Sequence, residues 1–211
     1  MGGASPSIRR TRWGHWLLLG LVLIGNGVLY AEWIWRDAWP ALRLRAHEAA
    51  LTRAAHDAGL PRGLVQAVAI QESRGDPGAR SHADAIGLMQ LRLETAREIG
   101  ASLGVTIDGE ERLEDPALNL RLGCQYLAGL LRRFEGDLVL ALAAYNSGPT
   151  RVSGWIEGST NYSSRSVVEA RAPGETRRFV RSVLDRWRRI RYAGGWPVDV
   201  PPAQSREKET P

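Results

Sequence analysis

From residue 41 to residue 191 the apolar residues recur three and four positions apart, and the alternation that builds strands is scarce. That spacing predicts a mainly α domain over residues 45–192, made of short helices closed by glycine and proline. Residues 41–57 read as one helix, stopped by Gly59 and Pro61. Residues 64–73 read as the next, followed by turn chemistry over 75–85. Residues 88–99 are predicted to be helical and 104–114 to be a polar connector. Asp115 and Pro116 form a helix start, a side-chain cap followed by proline at the first helical position. That helix is expected to run to Phe134. A short helix over 138–145 stops at the Asn-Ser-Gly-Pro corner. One further helix is predicted over 152–156 within a serine- and glycine-containing stretch. The last, over 175–191, is basic and amphipathic, with Phe179, Val180, Val183, Leu184 and Trp187 on its apolar side. Residues 193–211, rich in proline and charge, are expected to be a disordered tail.

Ahead of this domain, residues 13–31 carry no formal charge. As a helix they span about 28 Å, close to the roughly 30 Å of bilayer hydrocarbon. Arg9, Arg10 and Arg12 precede the run. Trp13 and Trp16 mark one end, and Trp33, Trp35 and Trp39 the other, as interfacial aromatics do. A cleaved signal peptide would want small residues at its cleavage site, and Leu29-Tyr30-Ala31 is a poor version. The expectation is therefore a transmembrane anchor or signal-anchor over 13–31. A cytoplasmic tail over 1–12 would precede it and a linker over 32–44 would follow, making a single-pass inner-membrane protein.

The formal net charge is +5, almost all of the basic residues being arginine, with Lys208 the one lysine. A basic surface suits nucleic acid, phospholipid headgroups or acidic wall polymers, and does not choose between them. The single cysteine, Cys124, excludes an intrachain disulfide and a thiolate metal cluster. It lies on the helical stripe Leu120, Cys124, Leu127, Leu131, the place of a small buried hydrophobe. His15, His47, His56 and His82 do not cluster, and no metal-ligand motif, phosphate loop or nucleophile elbow occurs.

The helix over 64–73 poses the chemical question. Leu64, Val65, Val68, Ala69 and Glu72 share one face, so the carboxylate points the way the apolar residues point. Burial raises a carboxyl pKa and favours the protonated form, which in a cleft donates a proton to a leaving group. The competing reading is a structural Glu capping a turn or paired with Arg74, since structural ion pairs also perturb carboxylates. The helix pattern by itself favours the structural reading.

Further segments reverse that preference. "QES" at 71–73, "SHADAIGLMQL" at 81–91, "AAYNSGP" at 143–149 and "ETRRFVRSVL" at 175–184 occur in this order. Together with "DPALNLRLGCQYLAGLL" between the second and third, they resemble the SLT-type lytic transglycosylases, over residues 51–184. These are bacterial enzymes of lysozyme-like (goose-type) helical fold. The resemblance implies cleavage of peptidoglycan glycan strands in the periplasm, between N-acetylmuramic acid and N-acetylglucosamine, without cofactor or metal. It implies that Glu72 protonates the glycosidic oxygen and then, as a carboxylate, takes the proton of the muramic C6 hydroxyl, giving a 1,6-anhydro sugar. Ser81 matches the family serine near the N-acetyl group. Gly87, Leu88, Met89 and Gln90 match the segment lining the cleft, Met89 for apolar contact and Gln90 for hydrogen bonds to sugar or acid. Ala144, Tyr145 and Asn146 match the element across it, where the tyrosine would position substrate or hold Glu72. Leu88 and Ala144 also read as plain packing residues.

Three positions depart from the family pattern. Asp84 stands where glycine is usual, Arg92-Leu93 where Met-Pro is preferred, and Phe179 where a tyrosine is usual. The Phe179 change removes a hydroxyl from the neighbourhood of the acid. Two rival functions keep the same fold: a goose-type lysozyme that adds water, and a non-catalytic wall-binding module of an envelope machine. Nucleic acid is not an expected partner, because only the arginine-rich last helix speaks for it.

Overall fold

In a computed structural model, residues 11–158 and 162–193 are described, and the chain divides into two compact units at Pro40 and Ala41. The first unit contains α1, Thr11–Trp33, followed by a π-helical turn, Ile34–Ala38. Over residues 21–30 its apolar side chains are exposed, Leu21, Leu23, Ile24 and Leu29 each by about two-thirds. The one amide in that stretch, Asn26, is satisfied within the helix, donating to Val22 O at 2.7 Å. Among the described residues no helix is long and apolar enough to cross a membrane. The stretch 32–44, read as a linker, is written largely in helix. Residues 1–10 of the expected cytoplasmic tail, and 194–211 of the expected disordered tail, lie outside the described residues.

The second unit is mainly helical. α2, Trp39–Arg45, leads into it; α3, Glu48–Asp57, and α4, Arg62–Ser73, follow. The single helix predicted over 41–57 is interrupted after Arg45, where Ala46 and His47 close a turn on Arg43 O and Leu44 O. A two-residue-per-strand antiparallel hairpin comes next, β1 Ala85–Ile86 on β2 Leu91–Arg92. It displaces the first part of the helix predicted over 88–99, so α5 runs Leu93–Ser102 instead. The cause is backbone conformation: Gly87 and Gln90 both take positive φ, 83° and 47°, which no helix accommodates.

The expected connector 104–114 ends in a 3₁₀ turn, Glu110–Glu114. α6, Pro116–Arg133, begins as predicted: Asp115 accepts from Leu118 N–H at 2.7 Å and proline occupies the first turn. α7, Leu138–Ser147, is capped in the same way by Asp137. The stretch 150–171 holds two helices rather than one, α8 Pro149–Ile156 and α9 Ser164–Arg171. α9 escaped sequence reading because only Val168 on it is buried, too little for a periodic stripe. α10, Gly174–Ala193, closes the unit.

α4 packs on α10, α3 on α6, and α6 and α10 on α7. Leu64, Val65 and Val68 of α4 meet Leu120, Leu127, Leu140 and Val183 in one core, all of them 0–2% exposed. At about 25 cal/mol per Å², burying such side chains supplies most of the driving force for the domain. Cys124 is buried among them, and burial pushes its thiol up to about 12, so it serves as the small hydrophobe predicted.

Candidate active site

Glu72 lies one residue from the end of α4, on the face that carries Leu64, Val65, Val68 and Ala69 into the core. The helix stops because Arg74 turns left-handed, φ 56°, with its N–H still bonded to Ile70 O. Ser73 stabilises the break, donating to Ala69 O at 3.0 Å and accepting from Gly75 N–H at 3.1 Å. Asp76 then accepts from Gly78 N–H and pairs with Arg43 at 2.9 Å. The chain thus leaves the core directly after the acid.

Glu72 is half-buried. Burial, and after it the negative charge of Glu175, push its carboxyl from 4.5 up to about 8. Both influences act upward. A cation partner would act in the opposite direction.

The segment 86–90 is held by Asn119, a fully buried residue of α6. Its Nδ2 donates to Ile86 O and to Leu113 O, both at 2.9 Å, and its Oδ1 accepts from Met89 N–H at 2.7 Å. Gly87 passes so close that a Cβ there would stand 2.3 Å from Asn119 Nδ2 and 2.5 Å from Leu113 O. Glycine is thus required twice, for contact and for φ. Leu88 and Met89 are fully buried, and the Met89 side chain packs against Gly123. Met89 therefore makes its contact with the core. The Gln90 amide ties the loop to itself, Nε2 donating to Ala79 O at 2.9 Å and to Gly87 O at 3.0 Å.

Tyr145, on α7, donates its hydroxyl to Met89 O at 2.7 Å. It therefore holds the segment opposite rather than Glu72 itself, although the two groups are electrostatically linked. Burial first, and then Glu72, keep the phenol well above its ordinary pKa, so it stays a donor. Its ring lies 5.3 Å from that of Tyr126 and stacks on Phe179 at 6.4 Å with a 4° tilt. Phe179 is 5% exposed, so the position vacated by the usual hydroxyl is an apolar stack. Ala144 is fully buried packing. Asn146 accepts from the hydroxyl of buried Thr176 at 2.7 Å, which joins the end of α7 to the start of α10. Ser81, exposed in the turn before β1, accepts from Ala83 N–H and Ala85 N–H at 3.2 and 3.1 Å.

The other two departures also find physical explanations. Asp84 has φ 57°, a conformation glycine takes freely and aspartate tolerates better than most residues. Leu93 is the first residue of α5, the position where proline is favoured but not required. Sequence reading missed three residues of the site. Glu175 and Thr176 stood inside a quoted motif without being singled out. Asn119 carried a signal, a polar residue flanked by Leu118 and Leu120 in an apolar stripe. Among the described residues no group of three or more His, Cys, Asp or Glu side chains is placed to hold a metal ion.

The unit is thus a mainly helical domain with one desolvated acid at the inner end of a core helix and a glycine-bent segment pinned by a buried Asn. The chain belongs to the transglycosylase SLT domain family, whose profile matches residues 50–168. It is similar to the soluble lytic murein transglycosylase of Escherichia coli strain K12, 32% identical over 127 residues, 59% of this chain and 20% of the relative. It is also similar to membrane-bound lytic murein transglycosylase F of Desulfosudis oleivorans, 37% identical over 112 residues, 50% of this chain and 23% of that one. The structure resembles that of an inactive mutant of lytic transglycosylase Slt from Pseudomonas aeruginosa, at 35% identity and a TM-score of 0.67. That match covers 72% of this chain and 25% of the other. The chain therefore spans about a quarter or less of the length of these relatives.

Proposed function

We propose that this domain is a peptidoglycan lytic transglycosylase that cleaves the β-1,4 bond between N-acetylmuramic acid and N-acetylglucosamine. The observation that carries the reading is Glu72, a half-buried carboxyl held near pKa 8 by burial and by Glu175. At neutral pH it is mostly protonated and donates its proton to the glycosidic oxygen as the C1–O4 bond breaks. The carboxylate left behind is a base of matched strength. It takes the proton of the muramic C6 hydroxyl while O6 closes on C1, and the acid is restored with no net change. The rigid segment 86–90 opposite supplies backbone groups for the sugar, and the Ser81 hydroxyl, in its turn, is suited to the N-acetyl group. Tyr145 fixes the width of the cleft through Met89 O.

One observation favours a second reading. Glu175 is a second carboxyl close enough to influence Glu72, and a pair of carboxyls is the usual equipment of hydrolytic glycosidases. In that reading water adds to C1 and the enzyme is a goose-type lysozyme. Mass spectrometry of digested wall separates the two. Anhydro-muropeptides are the expected product; reducing ends in their place overturn the transglycosylase reading.

The anchor belongs to the same proposal. The uncharged run at 13–31 and the outward apolar side chains of α1 support a single-pass inner-membrane tether with the domain in the periplasm. Alkaline extraction of cell membranes tests it: the chain is expected to stay in the pellet, and its release into the supernatant overturns the tether.

A further inference from the structure

α10 carries seven arginines against Glu175 and Asp185, so the formal charge of this one helix equals that of the whole chain. Its apolar side, with Phe179, Val183 and Trp187, is buried in the core. Arg177, Arg181, Leu184 and Arg188 fall on another side, at spacings of four, three and four, and line a groove of about 270 Å³ together with residues of α7 and α9. None of the residues placed around Glu72 lines it.

The groove combines two features. Val139, Val168, Val180 and Leu184 give it an apolar lining, Val168 and Val180 being 3% and 5% exposed. Its rim is basic, with the guanidinium groups of Arg165, Arg177, Arg181 and Arg188. Three of these are held in place. Arg177 donates to Glu169 O at 2.9 Å, Arg181 pairs with the Glu169 carboxylate at 3.1 Å, and Arg188 pairs with Asp185 at 3.1 Å. Arg165 makes no ion pair among the described residues. Four cations therefore face two carboxylates, and the excess charge is positive.

We propose that this groove is a second binding site, for the acidic peptide stems of the glycan strand; the choice of stem rests on the proposed substrate. A stem combines free carboxylates with the methyl side chains of alanine. Carboxylates suit the fork of a guanidinium, and small methyl groups suit a lining of valine and leucine. A flat lipid headgroup surface reaches the rim but not the apolar lining, which is why a discrete acidic peptide fits better. The site holds a strand by its stem while another part of the strand lies at Glu72. It acts on KM and on preference for stem-bearing over stripped glycan, and leaves the chemical step unchanged.

The test uses the full chain in detergent and the free stem peptide L-alanyl-γ-D-glutamyl-meso-diaminopimelyl-D-alanine, titrated by calorimetry. Wild type and Glu72→Gln are expected to bind it equally. The Arg165→Glu/Arg181→Glu double variant is expected to bind about tenfold more weakly, the scale of losing one charge-assisted contact. Arg165→Glu by itself touches no ion pair, and binding weakened with an unchanged melting temperature separates lost contact from lost fold. Equal binding by wild type and the double variant overturns the site, as does no binding at millimolar peptide. Binding of anionic vesicles that the double variant loses, with no peptide binding, assigns the patch to lipid and overturns it too. If the peptide binds as expected but the wild type releases no anhydro-muropeptides, the proposed function falls and the groove stands.

Discussion

Asn119 and Glu72 are both polar residues on helix faces that otherwise enter the core, and the protein treats them in opposite ways. Asn119 makes three hydrogen bonds to backbone groups of two stretches, the segment 86–90 and the turn that ends near Leu113. Glu72 instead receives burial and a like charge, both of which destabilise its ionised form. A satisfied buried amide fixes a shape, at little net cost. A desolvated acid stores unfavourable energy in its charged form and is ready to exchange a proton. The difference suits one residue to framework and the other to the reacting role proposed for it.

Several measurements break or sharpen that contrast. The largest effect is expected from Glu72→Gln, which removes the proton shuttle and lowers release of anhydro-muropeptides by about a thousandfold. The same variant gains stability. A carboxyl raised from 4.5 to about 8 destabilises the fold as pH rises through that window, because the unfolded chain ionises first. The gain is therefore absent below pH 4.5 and grows until about pH 8, reaching the order of 5 kcal/mol. Denaturant melts of the two proteins across that range check it; a variant less stable than wild type at pH 8 removes the strained-acid account.

Asn119→Leu should behave in the opposite way. It leaves the Met89 N–H and the carbonyls of Ile86 and Leu113 without their buried partner, and a loss of about 3 kcal/mol is expected at every pH. A loss confined to alkaline pH contradicts the framework role. Gly87→Ala presses on the same amide and forces a side chain into positive φ, for about 2 kcal/mol. Comparison of its melting temperature with that of Gly136→Ala separates crowding from backbone strain. Gly136 also has positive φ, 83°, but nothing lies within 4 Å of its Cβ site. Equal losses in the two variants mean that contact with Asn119 contributes nothing.

Glu175→Gln has the smallest effect. Removing that charge lowers the Glu72 pKa, so the alkaline fall of kcat/KM moves to lower pH. It stays above the ordinary carboxylate range, because burial is the larger cause. An unmoved pH profile shows that Glu175 does not act on the acid.

Much of this was legible in the residues. The inward direction of Glu72 follows from helical spacing alone, and the start of α6 from Asp115 and Pro116. The order of motifs pointed to the family before any geometry. The segment after the turn was not legible: "AIGLMQL" reads as the start of a helix by its apolar content. The structure makes it a hairpin because Gly87 and Gln90 take conformations that a linear pattern does not display. The packing of Met89 in the core and the bonds that Gln90 makes to its own loop are likewise invisible in the linear pattern.

The sequence by itself determined the helical class, the chain breaks and the face on which the acid lies, because these depend on residues within a few positions of one another. Tertiary structure decided what surrounds the acid. Glu175 is 103 positions from Glu72, Asn119 is 30 from Met89 and Tyr145 is 56 from Met89. Desolvation and charge act through space, so the raised pKa on which the proposed role of Glu72 rests exists only once the helices around it are packed together.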